Sequence, residues 1–248
     1  MGSTPSSGNF SVLRHGFGFS RGKVPSFSDN TQTAQVSVLQ HMNDMKNPHF
    51  HINVIRVGDL PPAATARDAV RELIDYAIFR SRTIYRAVGI GVGRINYAFI
   101  SSDDAGSYTN INSNDEARDL WEDWGASGNG IDAFIVQSIS GFLGLSPVGG
   151  DCENGSKDDG CLAGDLTRSK EGLAKTFAHE IGHFLGRSHN HGNGTCPSST
   201  NGQNNLMAQT GCAVDRFSEA GLRAATRLTQ SQGNTMKGHC SMKNGCNL

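Results

Sequence analysis

Polar and apolar positions alternate along His51–Ile52–Asn53–Val54–Ile55–Arg56–Val57, and that period of two predicts a strand. Pro61 and Pro62 then break the chain. From about Thr65 to Ala87 the period lengthens: Val70, Leu73, Ile74, Ala77, Ile78 and Ile84 form one stripe of a long helix. Arg94 to Ile100 alternates again and reads as a second strand. A short helix capped by Asn114 runs through Trp124, with Leu120, Trp121 and Trp124 on its apolar side. Ile131 to Val136 has the near-continuous apolar character of a central strand, and Phe142 to Val148, apolar and spaced by glycine, reads as an edge strand. A helix from about Lys170 ends at Gly186, and a last one is expected from about Ser218 to Thr229. Strands alternating with helices predict an α/β (α+β) fold on a twisted, mostly parallel sheet, followed by a small loop-rich C-terminal part.

Composition narrows this little. A chain of 248 residues holds one large domain or two small ones, and its formal net charge of −1 offers no field for nucleic acid or an anionic membrane. No apolar run approaches the roughly 20 residues that span a bilayer. Residues 1–48 are rich in Ser, Gly, Asn and Gln with weak periodicity, so an N-terminal extension or pro-segment remnant is expected there, ahead of a folded domain over 49–248. The first six residues formally fit a myristoylation pattern, and no apolar export core follows. They read as the end of a mature or trimmed secreted chain. All six cysteines, Cys152, Cys161, Cys196, Cys212, Cys240 and Cys246, fall in the C-terminal part. An even count beside histidine-rich chemistry favours disulfides and an oxidising, extracellular setting. The sequential pairing Cys152–Cys161, Cys196–Cys212 and Cys240–Cys246 closes three short loops and is the preferred set.

The chemistry concentrates in His179-Glu180-Ile181-Gly182-His183-Phe184-Leu185-Gly186-Arg187-Ser188-His189. On a helix, His179 and His183 project from one face and can share a metal ion. Glu180 sits beside the first ligand, placed to take a proton from a metal-bound water. Gly186 supplies the left-handed residue that ends a helix and turns the chain, bringing His189 to a third coordination position. Three protein ligands with one open position describe a catalytic zinc, not a structural one.

The extended pattern resembles the metzincin clan of zinc metallopeptidases, and Asn204-Asn205-Leu206-Met207-Ala208 resembles that clan's Met-turn, whose methionine packs beneath the metal. The resemblance implies a metzincin-like fold in which a long helix and the active-site helix pack on the sheet, with an upper subdomain over 49–186 and a lower one over 187–248. It also implies a secreted, monomeric zinc metalloendopeptidase acting on proteins or peptides, with one catalytic zinc and Glu180 as general base to a zinc-activated water. Substrate would add as a strand along Phe142, Leu143, Gly144 and Leu145. A degraded binding module would be expected to have lost Glu180 or a ligand, and this chain keeps all of them. Astacins and serralysins carry a tyrosine two residues after the Met-turn methionine, where Gln209 stands, and Asn190 follows the third histidine; matrixin-like and pappalysin-like arrangements both stay open. Asp151 to Gly160 is an acidic loop whose oxygens suit calcium, though such loops are more often solvated. His191 and His239 lie off the signature spacing and read as surface histidines. With no cysteine in 1–48, only Asp29 or Asp44 could block the metal from that side, and surface positions are expected for both.

Overall fold

The computed structural model describes residues 26–27, 38–58, 64–126, 129–153, 155–164, 169–192 and 194–245. Pro61, Pro62, Asp29, Cys246 and most of the N-terminal extension lie outside the described residues. In chain order the elements are β1 (Ser26–Phe27), α1 (Val38–Lys46), β2 (His49–Val57), α2 (Ala64–Arg86), β3 (Gly91–Ile100), α3 (Ser102–Ala105), β4 (Asn110–Ile111), α4 (Asn114–Trp124) and β5 (Gly130–Ile135). There follow β6 (Ser138–Ile139), β7 (Gly144–Leu145), β8 (Cys161–Ala163), α5 (Lys170–Phe184), α6 (Thr200–Gln203), α7 (Glu219–Ala224) and α8 (Gln230–Lys237).

Six strands form one sheet in the order β1-β3-β2-β5-β8-β7. The four inner strands run parallel, and both edges, β1 on β3 and β7 on β8, are antiparallel. Parallel strands must be covered on both faces, and the side chains divide accordingly. Phe50, Ile52 and Val54 of β2 with Ile131, Ala133 and Ile135 of β5 pack beneath α2 and α5. Ile55, Val57 and Phe134 point the other way, onto Leu120, Trp121 and Trp124 of α4.

The last expected helix is two. Ser218 caps α7 and Thr229 caps α8, so the residue taken as a helix end starts another. On α4 the cap is Ser113, whose hydroxyl accepts the Glu116 N–H, and Asn114 is the first helical residue. Only Gly144 and Leu145 of the expected edge strand pair with the sheet.

The disulfide pairing needs correction. Cys196–Cys212 forms as expected, but Cys152 bonds Cys240, which excludes both Cys152–Cys161 and Cys240–Cys246. Cys161 is a buried free thiol on β8. Its strand carries it into the core beneath α5, while Cys152 stays on the surface beside the chain that follows α8. Spacing along the chain does not register that meeting. Asp44 is not at the surface either: it is buried and accepts from Arg82 and Arg86 of α2, which ties α1 to α2.

Candidate active site

Helix α5 starts at Ser169, whose hydroxyl accepts the Gly172 N–H, and it is buried along nearly its whole length. Its first turn is pinned by Glu171, a buried carboxylate that accepts from Arg80 of α2 at 3.2 Å and Arg223 of α7 at 2.6 Å. Its far end closes through Gly186 at φ +90°, with Gly186 N–H on the His183 carbonyl at 2.8 Å and Arg187 N–H on the Gly182 carbonyl at 3.0 Å. These are the paired bonds of a Schellman end, which needs a left-handed residue. The chain reverses, and His189 comes back over His179 and His183.

The three Nε2 atoms converge: 3.0 Å between His179 and His183, 3.2 Å between His183 and His189, and 3.3 Å between His179 and His189. Carbonyls fix two of the tautomers. His179 Nδ1 lies 2.6 Å from the Leu206 oxygen and His183 Nδ1 lies 2.5 Å from the Arg187 oxygen. A carbonyl only accepts, so each Nδ1 carries the proton and each Nε2 presents a lone pair. Lone pairs aimed at one another across 3.0 Å repel unless a cation lies between them. A tetrahedral zinc with bonds of about 2.0–2.1 Å sets its nitrogens about 3.3 Å apart, so the donor set fits that ion. Burial lowers the pKa of His179 and brings His183 down to about 4, which holds both rings in the neutral, ligating form.

Glu180 is buried beside the first of these histidines, and that burial pushes its carboxyl up to about 8 despite the nearby Lys175 cation. The carboxylate packs against the edge strand: a Cβ built on Gly144 would stand 2.5 Å from Glu180 Cγ and Oε1. Met207 is fully buried, and a Cβ on Gly182 would stand 2.6 Å from its sulfur, so the turn lies directly against the helix between His179 and His183. That turn is held on several sides. Asn190 N–H donates to the Met207 carbonyl at 2.9 Å, and Met207 N–H donates to Asn205 Oδ1 at 2.9 Å. Asn205 and Gln232 of α8 exchange two side-chain bonds of 2.9 Å, and Lys175 Nζ donates to the Ala208 carbonyl at 3.3 Å.

A cleft of about 940 Å³ runs over this cluster. Phe142, Leu143, Gly144 and Leu145 line one wall together with Ser146 and Val148; Ser188, His189, Gln209 and Gly211 line the other. All the expected site side chains but Met207, which lies beneath, therefore border one groove. The sequence reading missed Lys175 and Gln232, which support the turn from behind, and the bonds that Asn205 makes from within the turn. Thr229-x-x-Gln232 is a capping-box spacing, and both of its hydrogen bonds form, so a signal for α8 existed. His239 sits against the Cys152–Cys240 bridge, and His191 is exposed. Of the acidic loop, Asp158 pairs with Arg118 of α4 and Asp159 is buried, accepting the Gly155 N–H.

A family model for metallo-peptidase family M12 (Reprolysin_5) matches residues 57–218, more than half of the chain. The chain belongs to that family, whose members are zinc metallopeptidases of the metzincin type. A search of curated proteins returns no match. Among solved structures, one described as "Structure of a chaperone-substrate complex" shows 14% identity and a TM-score of 0.35 over 60% of this chain. The chain spans 25% of that structure's chain.

Proposed function

We propose that this chain is a secreted zinc metalloendopeptidase that hydrolyses peptide bonds with Glu180 as general base. The convergence of three imidazole Nε2 atoms beside a buried carboxylate, on the floor of an open groove, is the observation that carries the reading. His179, His183 and His189 would hold the zinc, which when bound supplies Lewis acidity to water and to the scissile carbonyl. Glu180 takes the proton of the attacking water and returns it to the leaving amine. Gly144, bare of a side chain, lets the carboxylate reach the line along which an extended peptide would pair with β7. Met207 and its backing fix the imidazoles from below, so that little reorganisation is left for the reaction itself.

In this reading residues 49–186 form the upper wall and 187–248 the lower, with residues 1–48 an extension. Secretion is supported by the two disulfides. No helix among the described residues is long and apolar enough to cross a membrane. A monomer acting on protein or peptide substrates completes the proposal. Calcium has less support: Arg118 and Lys157 engage the charges of the acidic loop and α4, and among the described residues no acidic group gathers three potential ligands.

Cleavage of an unfolded protein such as casein is the test, with a chelated sample and a Glu180→Ala variant alongside. Activity should disappear in both and return to the chelated wild type on adding zinc. Activity that survives Glu180→Ala would refute the general-base role.

A further inference from the structure

Away from the cleft floor, a second group of ligating atoms lies within 4.8 Å of one another: the sulfurs of Cys152 and Cys240 and a ring nitrogen of His239. We propose that these three side chains form a redox-gated metal site, a disulfide clamp when oxidised and a Cys-His-Cys ligand set for a soft divalent ion such as zinc or cadmium when reduced.

The histidine is already set for ligation. Ser241 N–H donates to His239 Nδ1 at 3.2 Å, so that nitrogen carries a lone pair. The ring proton is then on Nε2, which donates to the Gly150 carbonyl at 3.0 Å. As at His179 and His183, one nitrogen is tied to a backbone carbonyl and the other presents its lone pair, here to the Ser241 N–H. Nδ1 lies 4.0 Å from Cys240 Sγ, and a metal ion would take the place of the Ser241 N–H. Both cysteines are exposed, so a reductant can reach the bond and an ion can enter. Asp151 and Glu153 flank Cys152 and add negative charge where a cation would arrive.

The chemistry balances with a dithiol as reductant. It supplies two electrons and two protons and leaves as its own disulfide, while the Cys152–Cys240 bond opens to two thiols. Binding of the ion then expels both thiol protons, and the sulfurs separate to about 3.7 Å for zinc–sulfur bonds of about 2.3 Å. Water completes the coordination on the exposed side.

The location gives the site a consequence. The bridge joins positions 88 residues apart, linking the chain after α8 to the loop that follows the cleft lip at Ser146 and Val148. Gly149 and Gly150 of that loop donate to the His183 and Phe184 carbonyls at 3.0 and 2.8 Å, and the His239 ring lies 5.4 Å from that of Phe184. Oxidised, the bridge straps the C-terminal segment to the end of α5. Reduced and metal-bound, the same atoms keep the strap closed.

The test is cadmium titration of the zinc-loaded chain, before and after reduction by a phosphine, followed by sulfur-to-metal charge-transfer absorption. An all-imidazole centre cannot give that band. One equivalent should bind with the band only after reduction. The band should vanish in Cys152→Ser/Cys240→Ser, and affinity should fall at least tenfold in His239→Ala. That second variant keeps both cysteines, so its effect is not a consequence of losing the strap. A reduced chain without the band, a band that persists in the double variant, or an affinity indifferent to His239→Ala would overturn the proposal.

Discussion

Between the backbone of Gly144 and the carboxylate of Glu180 there is no room for a methyl group, since a Cβ would stand 2.5 Å from both Cγ and Oε1. Gly144→Ala therefore forces Glu180 off its position or pushes β7 outward. Displacement of a reacting group by about 1 Å lowers rates by about 10²-fold. We expect kcat/KM to fall by at least that factor in Gly144→Ala while zinc content stays at wild-type level, because the imidazoles are untouched. Peptide-cleavage kinetics beside metal analysis would check this, and near-normal turnover would show that Glu180 does not need its observed place. The sequence displayed Gly144 as one member of an apolar, glycine-spaced run expected to pair with substrate; that its missing side chain makes space for the carboxylate depends on how β7 meets α5, which no local pattern encodes. The three histidines were legible because a helix and its glycine end set their separation by local geometry alone.

At the scale of elements, the inner strand β8, three residues long, showed no period, but β2, β3, β5 and the two long helices followed theirs, since burial on defined faces writes those periods into the sequence. The lower part did not. Its short helices are fixed by caps and turns, and its disulfides, one within it and one to Cys152 of the upper part, depend on which loops meet in space. The Met-turn shows what this costs a reading of the sequence: its support comes from Gln232, 25 residues beyond Met207, through the paired amide bonds to Asn205. Both amides are buried. Gln232→Ala leaves Asn205 Nδ2 without its partner, a cost of about 1–3 kcal/mol, while Oδ1 keeps the Met207 N–H. The capping bond from Thr229 N–H to Gln232 Oε1 is lost with it. Thermal unfolding should register a Tm lower by several degrees, and hydrogen exchange should rise around residues 204–208. Unchanged protection there would mean that Asn190 and Lys175 suffice to hold the turn.

Across the whole molecule the sheet is buried on both faces, and a connected series of polar groups crosses it. Asn96 of β3 donates to Asn53 of β2, and Asn53 donates to Asp132 of β5, each at 2.7 Å and at matching strand register. Asp132 also accepts the Ala126 N–H. Asp159 lies close by, and burial is the largest cause raising both carboxyls, Asp159 to about 7. The Gly155 N–H works against that rise at Asp159, while the Asp151 carboxylate adds to it. The sign of the stability effect follows from the folded group holding its proton longer. Below the ordinary value of 3.8 both states are protonated and the full contribution is present. As pH climbs towards about 7 the unfolded chain has already ionised, so each step upward favours unfolding. Asp159→Asn cannot ionise and still accepts the Gly155 N–H. Its stability relative to wild type should therefore grow from pH 4 to pH 8, by on the order of 2 kcal/mol at the upper end. Urea unfolding of both proteins across that range would read the difference, in which the histidines and other groups away from the Asp132–Asp159 pair cancel. Parallel curves would show that Asp159 ionises in the folded chain as easily as in the unfolded one.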